Sequence, residues 1–277
     1  MNSLQRCTCK ATIIGLFLAV ASGAYAAGVG SINSVIISHV FNDIPGATPA
    51  YGNGYPALIS LSEYGVSKTA PGGINRDVWN FSNNGGASAY QFQNNDYFDA
   101  TMSVQLTGSG TPGIDLEAGF LFSNSSGGFG GDLQFIVKGN GEIVQFGGPS
   151  FYGFSANDGG PLPNYVLGQT LTLGLNYVLD PNTGLNAFQY SVGSLFALSS
   201  PGNTYFDLGP GVGAGSLAPG NPLGGYFQIG NDPNNPNNFG TAIFDHITIT
   251  PAPVPEPSTL AFLGLGIVSL LFRRRRI

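Results

Sequence analysis

A chain of 277 residues with 9 Lys and Arg against 15 Asp and Glu carries a formal net charge of −6. Between positions 28 and 250 the cations are Lys68, Arg76 and Lys138 alone, against 14 acidic residues, which excludes a basic patch for DNA, RNA or anionic lipid. The 43 Gly and 19 Pro favour short strands and turns over helices, while 12% aromatic residues and frequent apolar alternation favour a folded body over disorder.

The N-terminus reads as an export signal. Arg6 and Lys10 supply a positive region, residues 11–21 are uncharged and largely apolar, and Ala24-Tyr25-Ala26 offers the small-x-small pattern that signal peptidase cuts. Residues 1–26 are therefore predicted to form a signal helix that is removed, leaving a mature chain that starts near Ala27. Cys7 and Cys9 both lie in that segment. The mature chain is then expected to have no thiol, disulfide or Cys metal site.

Residues 27–250 are predicted to form one domain of 224 residues, within the ordinary size of a single β-sandwich. The first strand falls at 31–41, where Ile32, Val35, Ile36, Ile37 and Val40 supply β-branched bulk. A Gly/Pro/Tyr-rich loop follows at 42–56, then strands at 57–64 and 74–81 around the turn Ala70-Pro71-Gly72-Gly73. Trp79, the only tryptophan, falls in the second of these and is expected in the core. After a polar loop at 83–95, Met102, Val104 and Leu106 alternate with Thr101, Ser103, Gln105 and Thr107, as a half-buried strand requires. Another strand is expected at 114–123, and a hairpin at 132–146 around Lys138-Gly139-Asn140-Gly141. A second hairpin joins 170–179 to 185–192 through Asp180-Pro181-Asn182-Thr183-Gly184. Strands at 225–230 and 241–250 close the body. No helical periodicity and no repeat interrupts this pattern. The predicted fold is all-β, an antiparallel jelly-roll β-sandwich flanked by the N-terminal signal helix and a C-terminal single transmembrane helix. The order of the two hairpins and the closing Ala242-Ile243-Phe244-Asp245-His246-Ile247-Thr248-Ile249 resembles concanavalin-A-like and laminin-G-like sandwiches.

Asp115 and Glu117 are two apart and can share a strand face. Glycosidases of concanavalin-A-like type carry Glu-x-Asp-x-Glu, which would need glutamate where Gly113 stands, so the nucleophile is missing and no catalysis is expected. No Gly-x-Ser-x-Gly elbow surrounds any serine. His39 and His246 fall in the first and last strands, which often pair in sandwiches, with Asp43 and Asp245 close by. Their pairing would allow a shared metal or pH-sensitive contact. No cofactor is expected, with calcium the one ion the loops admit through Asp96, Asp99, Asp180 and Asp232, although Asx side chains in turns usually bond their own backbone. Tyr51, Tyr55, Phe129, Phe151 and Tyr152 are the candidate stacking faces for a sugar.

Residues 251–277 have a different character. Pro255 and Pro257 hold the chain extended, Ser258 and Thr259 stand where a helix N-cap would, and 260–272 is apolar. A helix over 258–272 would span roughly 22 Å against about 30 Å of hydrocarbon, short for a permanent anchor. Arg273, Arg274, Arg275 and Arg276 would stay on the cytoplasmic side. The order Pro255-Glu256-Pro257-Ser258, short apolar run, arginine cluster and chain end resembles the PEP-CTERM sorting signal. That resemblance implies an exosortase-like transpeptidase acting near the Pro-Glu-Pro motif. It also implies transient anchoring in the inner membrane, loss of the tail, and delivery to the cell surface or extracellular matrix. The expected protein is thus an exported, non-catalytic surface or matrix component, served by signal peptidase and an exosortase-like enzyme and accompanied by an extracellular polysaccharide. A carbohydrate-binding module is the alternative, and a glycoside-active enzyme the third reading.

Overall fold

Period-two alternation of apolar side chains gives each strand one greasy face, and two sheets stacked on those faces make the molecule. A computed structural model describes residues 28–66, 73–109, 116–122, 132–147, 151–210, 222–231 and 238–253. The signal segment, the sorting tail and Asp115, Phe129 and Asp232 lie outside these residues. Among the described residues no helix is long and apolar enough to cross a membrane.

The first sheet runs β1 (Ser34–Asn42), β4 (Ile74–Ser82), β14 (Leu223–Gly230), β6 (Leu116–Phe122), β7 (Leu133–Lys138), β8 (Ile143–Phe146) and β9 (Tyr152–Gly153). The second runs β12 (Leu195–Phe196), β11 (Asn186–Val192), β10 (Thr170–Leu179), β5 (Phe98–Gly108), β15 (Phe239–Pro251), β3 (Leu58–Tyr64) and β2 (Thr48–Gly54), with β13 (Phe206–Asp207) paired to β11. The ladders between named strands are antiparallel, so the all-β antiparallel sandwich stands.

The alternation in β5 is as read: Met102, Val104 and Leu106 are buried, while the Thr, Ser and Gln between them face outward. Trp79 is fully buried and meets Phe81 and, across the sandwich, Phe244 edge to face, with ring centroids 5.2 and 5.8 Å apart. Its position requires the glycines opposite. A Cβ on Gly225 would lie 2.4 Å from the indole Nε1, and one on Gly224 only 1.7 Å from the Trp79 carbonyl oxygen. Both turns form as expected. In the second, Gly184 adopts φ +71° and its N–H donates to the Asp180 carbonyl at 2.8 Å.

Two expectations need correction. The loop at 42–56 contains β2, an edge strand whose Thr-Pro-Ala-Tyr-Gly-Asn-Gly sequence is largely exposed and so lacks an apolar face to announce it. The first and last strands do not pair: β1 lies beside β4 in one sheet, and β15 lies between β5 and β3 in the other. His246 sits at a bulge in β15 with φ +49°, exposed, its Nδ1 2.9 Å from its neighbour Asp245. The contact imagined between His39 and His246 therefore has no structural basis.

Candidate functional site

Four strands from both sheets converge at one edge of the sandwich. On β4 the core-facing positions are Asn75, Asp77, Trp79 and Phe81, and on β3 they are Ile59, Leu61 and Glu63. Alternation thus turns two carboxylates inward with the apolar residues. His39 of β1 is the cross-strand partner of Asp77, and a bulge just beyond it sends Phe41 to the other face, over the Arg76 guanidinium. Tyr51 of β2 closes the group.

The His39 Nδ1 lies 2.6 Å from Asp77 Oδ1 and 3.5 Å from Glu63 Oε1. The Tyr51 hydroxyl donates to Asp77 Oδ1 at 2.7 Å, and Asn75 Nδ2 donates to Glu63 Oε2 at 3.2 Å. Asn75 is itself held by the Ile44 backbone in both directions. Both carboxylate side chains are fully buried, yet Glu63 Oε1 and Asp77 Oδ2 have no hydrogen-bond partner. Burial and then the Asp77 charge push the Glu63 carboxyl up to about 7, against the lowering effect of Asn75 and His39. Burial and the Asp77 carboxylate likewise raise the Tyr51 phenol.

The raised Glu63 value has a sign. The folded state holds a proton between the ordinary carboxylate range and about pH 7 that the unfolded chain has lost, so stability falls as pH rises through that window and levels off above it. In the presence of a chelator, urea denaturation at pH 5 and pH 8 should differ by on the order of 2 kcal/mol from this group. Glu63→Gln should flatten the difference. An equal pH dependence in the variant would show that other groups produce it.

The second polar assembly lies on the opposite face of the first sheet. Arg76, Gln228, Glu117 and Lys138 form one cross-strand row over four strands. Arg76 Nε donates to Gln228 Oε1 at 2.9 Å, Nη1 meets Asp132 Oδ2 at 3.2 Å, and Lys138 bridges Glu117 and Glu142 at 3.2 and 3.0 Å. The Tyr226 hydroxyl is within hydrogen-bond distance of both Glu117 and Gln134. Gln228 Nε2 also donates to Glu117 Oε2 at 3.4 Å, so Glu117 is held by three neighbours, Lys138, Tyr226 and Gln228.

Among the described residues, the predicted calcium ligands Asp96, Asp99 and Asp180 form no common cluster. Asp96 accepts from the Gln93 amide and the Tyr90 hydroxyl, and Asp99 lies on β5. Asp180 accepts from Asn182 in its own turn, beside Asp207. Asp43 accepts from the Ile74 amide rather than approaching His39. Among the described residues, the group of three or more His, Cys, Asp or Glu able to hold a metal ion is His39, Glu63 and Asp77, with ligand atoms all within 4.8 Å of one another. Neither Glu63 nor Asp77 was singled out by sequence. The available signal was a carboxylate at an inward position of an otherwise apolar strand face. The described sugar-stacking candidates scatter as well: Tyr51 lies on β2 at an edge of the second sheet and Phe151 beside β9 at an edge of the first, while Tyr55 packs on Phe81 and Tyr152 on Phe154.

The fold defines a two-sheet antiparallel β-sandwich. Residues 253–276 match the PEP-CTERM protein-sorting motif, which indicates an exported protein sorted to the cell surface and implies exosortase processing. The body is similar to a family 7 alginate lyase, A1-II′, at 11% identity and TM-score 0.43, covering 75% of this chain and 83% of that one. It is also similar to the alginate lyase from Corynebacterium sp., at 10% identity and TM-score 0.40 over 74% and 82% of the two chains. The Emp47p carbohydrate recognition domain is similar at 12% identity and TM-score 0.38, over 77% and 89%. Among curated proteins none matches the chain.

Proposed function

We propose that the mature body is a non-catalytic component of the cell surface or extracellular matrix, delivered by cleavage at the C-terminal motif. The observation that carries this reading is the sorting motif at 253–276, which begins only two residues beyond the end of β15 and so follows directly on a closed sandwich. The internal engagement of Glu117 supports the non-catalytic part, since a glycosidase carboxylate must be free to attack or to exchange a proton. The test is the intact mass of the surface-located protein beside a variant with Pro255, Glu256 and Pro257 all changed to Ala. The wild type should lack Arg273 to Arg276, and the variant should keep them and accumulate in the membrane fraction. A wild-type surface protein that retains the arginines would make the tail a permanent anchor and overturn the reading.

A second reading, carbohydrate recognition, would use Lys138 and Glu142, the partly exposed end of a row in which Arg76, Gln228 and Glu117 are themselves buried. A glycan array with acidic and neutral polysaccharides separates the two. Binding abolished by Lys138→Ala would support recognition, and a blank array with and without calcium would remove it.

A further inference from the structure

We propose that His39, Glu63 and Asp77 bind one divalent transition-metal ion, of which Zn2+ and Mn2+ suit the donors, and that the ion fastens the two sheets together at this edge. Three separate observations point to a ligand. First, the donor atoms of β1, β3 and β4 all lie within 4.8 Å of one another, so small side-chain rotations bring them to the roughly 2.0–2.2 Å that a single ion requires. Second, Glu63 Oε1 and Asp77 Oδ2 belong to fully buried side chains and have no hydrogen-bond partner. Buried polar atoms are nearly always partnered, and an orphaned carboxylate oxygen is expensive. Third, no cationic side chain other than His39 reaches these carboxyl groups among the described residues. Two inward carboxylates face one imidazole, while Arg76 and Lys138, the cations among the described residues, point to the opposite face and are bound to Asp132, Glu117 and Glu142. A dication would compensate both carboxylates once any proton they hold has left to solvent.

The donor set selects the class of ion. An imidazole nitrogen with carboxylate oxygens suits zinc and manganese, whereas calcium and magnesium prefer oxygen alone. The surroundings have the form of a supporting shell: Asn75, locked to the Ile44 backbone, holds Glu63 Oε2, and the Tyr51 hydroxyl holds Asp77 Oδ1. Access is from the sheet edge, where the His39 side chain is 25% exposed and Tyr51 is 43% exposed. On coordination the imidazole lone pair at Nδ1 goes to the metal, and any proton on Nδ1 or on the carboxyl pair leaves to solvent.

The test uses the full chain carrying Cys7→Ser and Cys9→Ser, so that thiols do not compete. The protein is stripped with a chelator and titrated calorimetrically with zinc, manganese and calcium chlorides, and its thermal midpoint is followed in parallel. One equivalent of zinc or manganese should bind and raise the midpoint, with calcium at least about tenfold weaker. His39→Gln, Glu63→Gln and Asp77→Asn should each weaken binding by at least about tenfold, while His246→Gln should leave it unchanged. His39→Gln carries the argument if a buried substitution prevents folding, because its side chain is partly exposed. No binding by the parent chain, binding that survives His39→Gln, or calcium binding as tightly as zinc and manganese would each overturn the proposal.

Discussion

Trp79→Ala is expected to destabilise the sandwich by about 4 kcal/mol, lowering the thermal midpoint by roughly 10 °C for a domain of this size. The indole is fully buried and spans the interface, touching Phe81 in its own sheet and Phe244 in the other. The neighbouring strand carries no side chain at Gly225, where a Cβ would meet the indole, so no flexible group stands there to fill the cavity. The indole Nε1 has no hydrogen-bond partner. Trp79→Phe should therefore lose ring area but no polar contact, and cost about 1–2 kcal/mol. Urea denaturation of the two variants beside the parent checks both numbers. A loss under about 1 kcal/mol for Trp79→Ala would mean that this edge of the core is not packed as described.

Arg76→Ala is the other large effect, at about 4 kcal/mol. The guanidinium is buried between the rings of Phe41 and Tyr226, with centroids 5.2 and 5.1 Å away, and meets Asp132 and Gln228 through its nitrogens. Truncation removes the ion pair with the buried Asp132 carboxylate together with the packing on both rings, and the lost pair dominates the cost. The double variant Arg76→Met with Asp132→Leu removes both charges while keeping bulk. It should be more stable than Arg76→Ala by about 2 kcal/mol, because an apolar pair avoids the desolvation term. A double-mutant cycle measured by denaturant unfolding gives the coupling directly. Strictly additive losses would show that Arg76 contributes through packing and not through charge.

The legibility of this molecule follows the range of the forces involved. Strand β5 was readable because burial on one face alone imposes alternation on its own residues, Met102, Val104 and Leu106 against Thr101, Ser103 and Gln105. The hairpin turns at Gly141 and Gly184 were readable because a positive φ restricts residue choice locally. Strand β2 escaped notice because it is exposed on an edge, and its pairing with β3 is made by backbone groups that carry no residue signature. Calcium ligands were sought in loops rich in Asp, where the side chains of Asp96 and Asp180 bond nearby groups instead.

By itself the sequence determined the acidic, cysteine-free character of the body, the alternation that makes it all-β, and the sorting motif at its end, since each is a property of contiguous residues. Which faces of β3 and β4 lie inward, and so the burial of Glu63 and Asp77, was not read from the sequence. Only the tertiary structure decided that they point at each other, with His39 and Tyr51 beside them. That meeting depends on β1 pairing with β4 in one sheet, on β2 pairing with β3 in the other, and on the stacking of the two edges. Such contacts between strands distant in sequence are fixed by the collective packing of the core, to which no single segment holds the key.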